Sequence, residues 1–180
     1  MAPETTLTRP IVLIGLMGAG KTSVGRKLAS ALRVPFRDSD AEIVKAAGQS
    51  IPQIFATLGE PAFRDGERRV IARLLGEKPS IIATGGGAWM DAETRAAVAA
   101  QGTSIWIDAT VETLWNRVRD KTGRPLLDEP DPRGVLEALA AARYPVYAQA
   151  ELRVLSEAGQ THEAMVDRII AALKSAGKIA

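Results

Sequence analysis

The stretch Gly15-Leu-Met-Gly-Ala-Gly20-Lys21-Thr22 constrains this chain more than any other. It fits the pattern G-x-x-x-x-G-K-S/T and lies between a β-branched apolar run, Ile11 to Ile14, and a helical pattern with apolar residues at Val24, Leu28, Ala31 and Leu32. Strand, glycine-rich turn and helix in that order point backbone N–H groups, and the positive end of a helix dipole, at a phosphate. A plain strand-to-helix turn has no need of the Lys-Thr pair. Lys21 is suited to reach β- and γ-phosphates, and the Thr22 hydroxyl to ligate Mg²⁺. The loop thus predicts a nucleoside-triphosphate site with contacts from Gly18, Ala19, Gly20, Lys21, Thr22 and Ser23.

The remainder of the chain alternates short apolar runs with longer helical patterns. Strands are expected at Ile11 to Ile14, Val34 to Phe36, Ser80 to Thr84, Thr103 to Ile107 and Leu152 to Leu155. Helices are expected over Lys21 to Arg33, near Ala41 to Ala47, from Ser50, and over Phe63 to Leu75. Others follow over Asp91 to Gln101, from Thr110 through Arg119, over Val135 to Ala142, and on the apolar face Met165, Val166, Ile169, Ile170 and Leu173. Ser50 and Gln53 have the spacing of a capping box. Strand and helix in alternation predict an α/β fold, a parallel sheet covered on both faces. At 180 residues, with no repeat and no Ser/Gly linker, the chain reads as a single domain, 1–180, preceded by a polar extension, 1–9. The segment Asp120 to Gly134, broken by Gly123, Pro125, Pro130 and Pro132, reads as irregular, and so long an irregular piece suits a lid.

Composition narrows the chemistry. There is no cysteine, which removes thiolate nucleophiles, disulfides and Cys-type metal sites. The lone histidine, His162, follows Thr161 in a polar stretch and reads as an exposed first-turn helix residue, so a general base here is expected to be a carboxylate. Net charge is +2 and no basic run exceeds Arg68-Arg69, which leaves no clustered face for nucleic acid. No apolar run approaches the ~20 residues of a membrane span, and no signal-peptide core opens the chain, so a cytoplasmic protein is expected. A motor-type ATPase would follow its apolar strand with Asp-Glu, whereas Ile105-Trp-Ile-Asp108 is followed by Ala109. An Asn-Lys-x-Asp guanine-reading motif is missing as well. Phosphoryl transfer to a small acceptor is the reading left. Asp38-Ser39-Asp40 follows the second strand, at the sheet edge where α/β proteins bind ligands, and two carboxylates there can divide metal binding and proton acceptance. By composition alone, the same residues make an Asp N-cap and a solvated neighbour.

Beyond the phosphate loop and Asp38-x-Asp40, the chain carries Phe63-Arg-Asp-Gly-Glu67, Gly85-Gly-Gly87, Arg124-Pro-Leu-Leu127 and Arg143-Tyr-Pro-Val-Tyr147. In this order and spacing they resemble the shikimate kinase family, from about Ile11 to beyond Arg153. The resemblance implies a three-layer sandwich with a central five-stranded parallel sheet, like the nucleoside monophosphate kinases, with a mobile lid. It implies transfer of the γ-phosphoryl of ATP, with Mg²⁺, to the 3-hydroxyl of shikimate, within aromatic amino-acid biosynthesis. By the same resemblance, Asp40 takes or orients the hydroxyl proton, Asp38 reaches Mg²⁺, and Arg64, Arg143 and Gly86 hold the acceptor. Bidentate arginines suit its carboxylate. Arg124 closes over the phosphates, Arg117 stacks on adenine, and Gln160 is the adenine-side candidate after the last strand. Family analogy suggests a monomer with no nucleic-acid or membrane partner. Kinases of other small acceptors, such as gluconate, and a nucleotide-binding module without turnover are the competing readings. Gly66, within a predicted helix, costs up to ~1 kcal/mol against alanine with no reason visible in the sequence.

Overall fold

The computed structural model describes residues 6–180, so residues 1–5 of the polar extension 1–9 lie outside the described residues. Five strands form one wholly parallel sheet in the order β2-β3-β1-β4-β5. They are β1 (Ile11–Ile14), β2 (Phe36–Asp38), β3 (Ile81–Ala83), β4 (Thr103–Asp108) and β5 (Leu152–Leu155). Among the described residues seven α-helices connect and cover them: α1 (Lys21–Leu32), α2 (Ser39–Ala47), α3 (Ile51–Gly76), α4 (Ala92–Gln101), α5 (Val111–Val118), α6 (Pro132–Tyr147) and α7 (His162–Ser175). Helices pack on both faces, α1 against α7 and α3 against α4 among them. The β-branched run of β1 is central, at most 1% exposed, with β3 and β4 beside it. Burial of each such side chain stabilises the fold by ~1.5–3 kcal/mol.

Several boundaries fall differently from the sequence expectation. The second strand is Phe36–Asp38, because Val34 N–H closes the end of α1 on Ala29 O and Pro35, which has no N–H, can only accept from Ile81. That shift makes Asp38 the last strand residue and the N-cap of α2 at once. On α1 the buried alanine is Ala29, and Ala31 is exposed. The two expected helices from Ser50 and over Phe63 to Leu75 are one element, α3, broken at Gly59 (φ 82°) two residues before Pro61. The Ser50–Gln53 capping box is formed. The irregular span contains a short 3-10 turn, Pro125–Asp128, that buries Leu126, and α6 begins inside it at Pro132. At its far end α6 runs through Pro145 to Tyr147, past the expected stop at Ala142, because Tyr144 and Tyr147 pack on Trp106 of β4. Arg143 therefore lies within this helix.

The consequence for function is geometric. In a parallel sheet all strands end at the same edge. That edge gathers the phosphate loop after β1, Asp38-Ser39-Asp40 at the end of β2, Gly85 to Gly87 after β3, Asp108 at the end of β4 and Ser156 after β5.

Candidate active site

The phosphate loop owes its shape to Gly18 (φ 82°) and Gly20 (φ 93°), a left-handed backbone that side chains disfavour. Gly20 then caps α1 with no side chain of its own. Lys21 folds back over the loop and donates from Nζ to Gly15 O at 2.5 Å and Leu16 O at 3.1 Å. Burial lowers its pKa to about 8; the Asp40 charge opposes that, and Arg143 and Arg124 add to it. Those four residues, drawn from four separate segments, thus share one electrostatic environment. Thr22 and Ser23 are exposed at the start of α1, whereas Ala19 is buried behind the loop, its methyl 3.0 Å from where a Gly15 β-carbon would stand.

A cavity of about 430 Å³ opens over this loop. Gly18, Gly20, Lys21, Thr22, Ser23, Arg117, Arg124 and Gln160 all line it, joined by Lys121, Ser156, Thr161, His162 and Met165. Arg117 is no solvated helix residue: its guanidinium donates to Gly18 O at 3.2 Å, Ser156 Oγ at 2.9 Å and Glu157 O at 3.1 Å. Gln160 Oε1 accepts from Glu157 N–H at 3.0 Å, which fixes the amide's orientation. Its Nε2 is left buried, without a partner, in the cavity wall. That is a donor waiting for an acceptor. His162 is the exposed first residue of α7, as expected, yet it also borders this cavity. Neither His162 nor Lys121 carries a motif signal, and only the approach of α7 and of the segment after α5 to the loop brings them there.

The acceptor side is explained by the three glycines. None of them has a positive φ, so each is glycine for space. A β-carbon on Gly85 would lie 3.0 Å from Asp40 Oδ1 and 3.4 Å from Glu67 Oε2. One on Gly86 would lie 2.7 Å from Arg143 Nη1, and one on Gly87 2.5 Å from Arg64 Nη2. Each glycine thus yields its side-chain volume to a charged group, and the loop becomes the floor on which Asp40, Arg143 and Arg64 meet. Arg64 is held from below by Glu67, Nη1 to Oε1 at 2.7 Å, with Glu60 at 3.5 Å from Nε. Glu67 is 3% exposed, and its place three residues after Arg64, on one helix face, was the signal that could have marked it.

Asp38 meets its composition-based expectation, since Oδ1 accepts from Asp40 N–H at 2.9 Å and Ala41 N–H at 3.2 Å. No hydrogen bond occupies Oδ2 among the described residues. Burial raises the pKa of Asp40, the Asp38 charge raises it further, and Lys21 and Arg64 pull it down. Burial likewise raises that of Glu67, against the hydrogen bond from Arg64. Asp108, by contrast, is turned to β5, where Arg153 binds it through Nε at 2.7 Å and Nη2 at 2.5 Å. The aspartate of the strand that mimics an ATPase motif is engaged in an ion pair.

The family model described as shikimate kinase matches residues 17–174. A shikimate kinase of Caulobacter vibrioides is 57% identical over 169 residues, covering 93% of this chain and 84% of that protein. One of Ruegeria pomeroyi is 53% identical over 167 residues, covering 93% and 86%. Among solved structures, shikimate kinase from Acinetobacter baumannii in complex with shikimate superposes with a TM-score of 0.85 at 36% identity, covering 94% of each chain.

Proposed function

The chain belongs to the shikimate kinase family, and from that premise we propose that it transfers the γ-phosphoryl group of ATP to the 3-hydroxyl of shikimate, at the site built from these residues. The observation that carries this reading is the glycine floor, against which two guanidinium groups, Arg64 and Arg143, and the Asp40 carboxylate are set, with Arg64 steadied by its own pair to Glu67. Two forks recognise the carboxylate of an anionic polyol, and the carboxylate beside them meets a hydroxyl.

Asp40 accepts the proton of the attacking hydroxyl, and its raised pKa brings it nearer the working range of a general base. The hydroxyl oxygen bonds to the γ-phosphorus as the bond to the β,γ-bridging oxygen breaks, and ADP leaves with that electron pair. Lys21, released from the Gly15 and Leu16 carbonyls, and Arg124 from the lid offset charge on the transferring oxygens. Gly18, Ala19, Gly20, Thr22 and Ser23 form the phosphate cradle, with Arg117 and the free Gln160 amide on the nucleobase side. The lid, 120–134, closes over the nucleotide and excludes water. All these groups come from one chain, so the proposed site needs no residue of a second copy.

Mg²⁺ fits the donor set. The Thr22 hydroxyl is exposed in the cavity and Asp38 Oδ2 is uncommitted, two hard oxygens of the kind Mg²⁺ takes while keeping waters and phosphate oxygens as its other ligands. Among the described residues no group of three acidic or histidine side chains forms a metal cage. Bound with the nucleotide, the ion would neutralise β- and γ-phosphate charge.

ADP release from Mg-ATP with shikimate, with gluconate and with no acceptor tests the reading. ADP is expected with shikimate alone, and Asp40→Asn is expected to lower turnover by at least ~10²-fold while ATP still binds. Release with gluconate but not shikimate would overturn the acceptor assignment, and normal turnover in Asp40→Asn would overturn its role.

A further inference from the structure

Two side-chain hydrogen bonds, running in opposite directions, tie the last turn of α6 to the glycine loop. The phenol of Tyr147, a wholly buried residue, donates to Gly86 O at 2.5 Å. Trp89, in the 3-10 turn that follows the loop, donates from Nε1 to Val146 O at 3.1 Å. Arg143 precedes Tyr147 by four residues on α6 and so shares its face of the helix. Its guanidinium lies both beside the Tyr147 phenol and over Gly86. With its proton given to Gly86, the phenol oxygen turns lone pairs to that guanidinium. The aromatic ring itself is anchored separately, with ring centroids 6.1 Å from Trp106 and 6.0 Å from Tyr144. Helix packing therefore rests on the ring, and the hydroxyl has a narrower office.

We propose that Tyr147 and Trp89 are positioning residues that hold the Gly86 backbone and the Arg143 guanidinium at one fixed separation, so that the acceptor's anionic group meets a preformed site. Neither residue is placed to touch the acceptor; each acts through Arg143 and Gly86, and the inference rests on the reading of those two as acceptor contacts. Without the clamp, Arg143 and the loop must be ordered when the acceptor binds, and that ordering is subtracted from affinity. None of the four residues joined by these bonds lines the cavity over the phosphate loop.

The test uses the full chain with Tyr147→Phe, Trp89→Phe, Arg143→Ala and the double variant Tyr147→Phe/Arg143→Ala. Steady-state kinetics in both substrates, shikimate affinity by calorimetry and Tm are measured together. Tyr147→Phe is expected to raise KM and Kd for shikimate about tenfold, the scale of one hydrogen bond, with kcat and KM for ATP within about twofold. Trp89→Phe is expected to move the same constants about threefold. Because Tyr147 acts in part through Arg143, the double variant is expected to lose less shikimate affinity than the two single losses added together.

Additive losses in the double variant, or an unchanged shikimate KM in Tyr147→Phe, would overturn the proposal. So would a fall in Tm with every kinetic constant reduced alike, the mark of a purely structural hydroxyl. Should Tyr147→Phe fail to fold, an unchanged shikimate KM in Trp89→Phe would do the same. If Arg143→Ala leaves shikimate binding intact, the acceptor-site reading itself fails, and the clamp with it; a large effect there with none in Tyr147→Phe removes the clamp alone.

Discussion

Gly87 shows how one missing methyl group can serve a site without serving the fold. Its backbone, φ −87° and ψ −14°, suits alanine, and the clash that a β-carbon would meet is with the Arg64 guanidinium, the far end of a flexible side chain. Gly87→Ala is therefore expected to leave Tm within a few degrees and KM for ATP unchanged, while displacing Arg64 and raising KM for shikimate at least ~10-fold, the scale of a lost charge-assisted contact. Thermal melts and kinetics in both substrates check it, and an unchanged shikimate KM would remove Arg64 from the acceptor site. Lys21 carries a pH signature. Its pKa is lowered from the ordinary 10.5 to about 8 by burial. Below pH 8 both folded and unfolded chains hold the proton; between about 8 and 10.5 only the unfolded chain does, so this group's contribution to stability rises with pH across that window. Phosphates need the charged form. ATP affinity is accordingly expected to fall as pH rises above 8, with proton uptake on binding measurable by calorimetry in buffers of unlike ionisation enthalpy. Lys21→Met should show no such uptake, and equal uptake in that variant would move the titration elsewhere.

At the scale of elements, the glycine that the sequence left without a reason has none in α3 either. Gly66 lies in helical backbone with no atom within 4 Å of a would-be β-carbon, beside an apolar groove formed by Ile43, Phe63 and Val70. Gly66→Ala is therefore expected to stabilise the protein by up to ~1 kcal/mol and to raise Tm by several degrees. A fall in Tm would mean that the groove is tighter than it looks. Where local chemistry rules, the sequence reading holds: the Ser50–Gln53 capping box, the Thr161 cap before His162 and the β1–loop–α1 unit all form as their residues require. The misplaced end of α6 has a different cause. Pro145 marks a helix stop by propensity, but the tyrosines on either side of it pack on Trp106 and carry α6 onward. Tertiary packing outweighs a local preference of this size, and it thereby puts Arg143 and Tyr147 on the same helix face.

The whole molecule rests on the all-parallel order β2-β3-β1-β4-β5, which turns five loops toward one edge. No helix among the described residues is long and apolar enough to cross a membrane. Motifs in the sequence suffice for the α/β class, the phosphate loop and the family, because each is written in neighbouring residues and in backbone hydrogen bonding that neighbours satisfy. Candidate residues such as Asp40, Arg64 and Arg143 are likewise legible through motif resemblance. What the sequence leaves open is everything that depends on distant segments meeting: the unpartnered Gln160 Nε2 in the cavity wall, His162 at the cavity over the phosphate loop, and the Tyr147 and Trp89 clamp on the glycine loop. Charge, hydrogen-bond geometry and excluded volume act over a few ångströms in space. Only the folded sheet edge sets Asp40, Arg143 and Arg64 within that range of Gly85, Gly86 and Gly87 and so gives three consecutive glycines a reason beyond a turn.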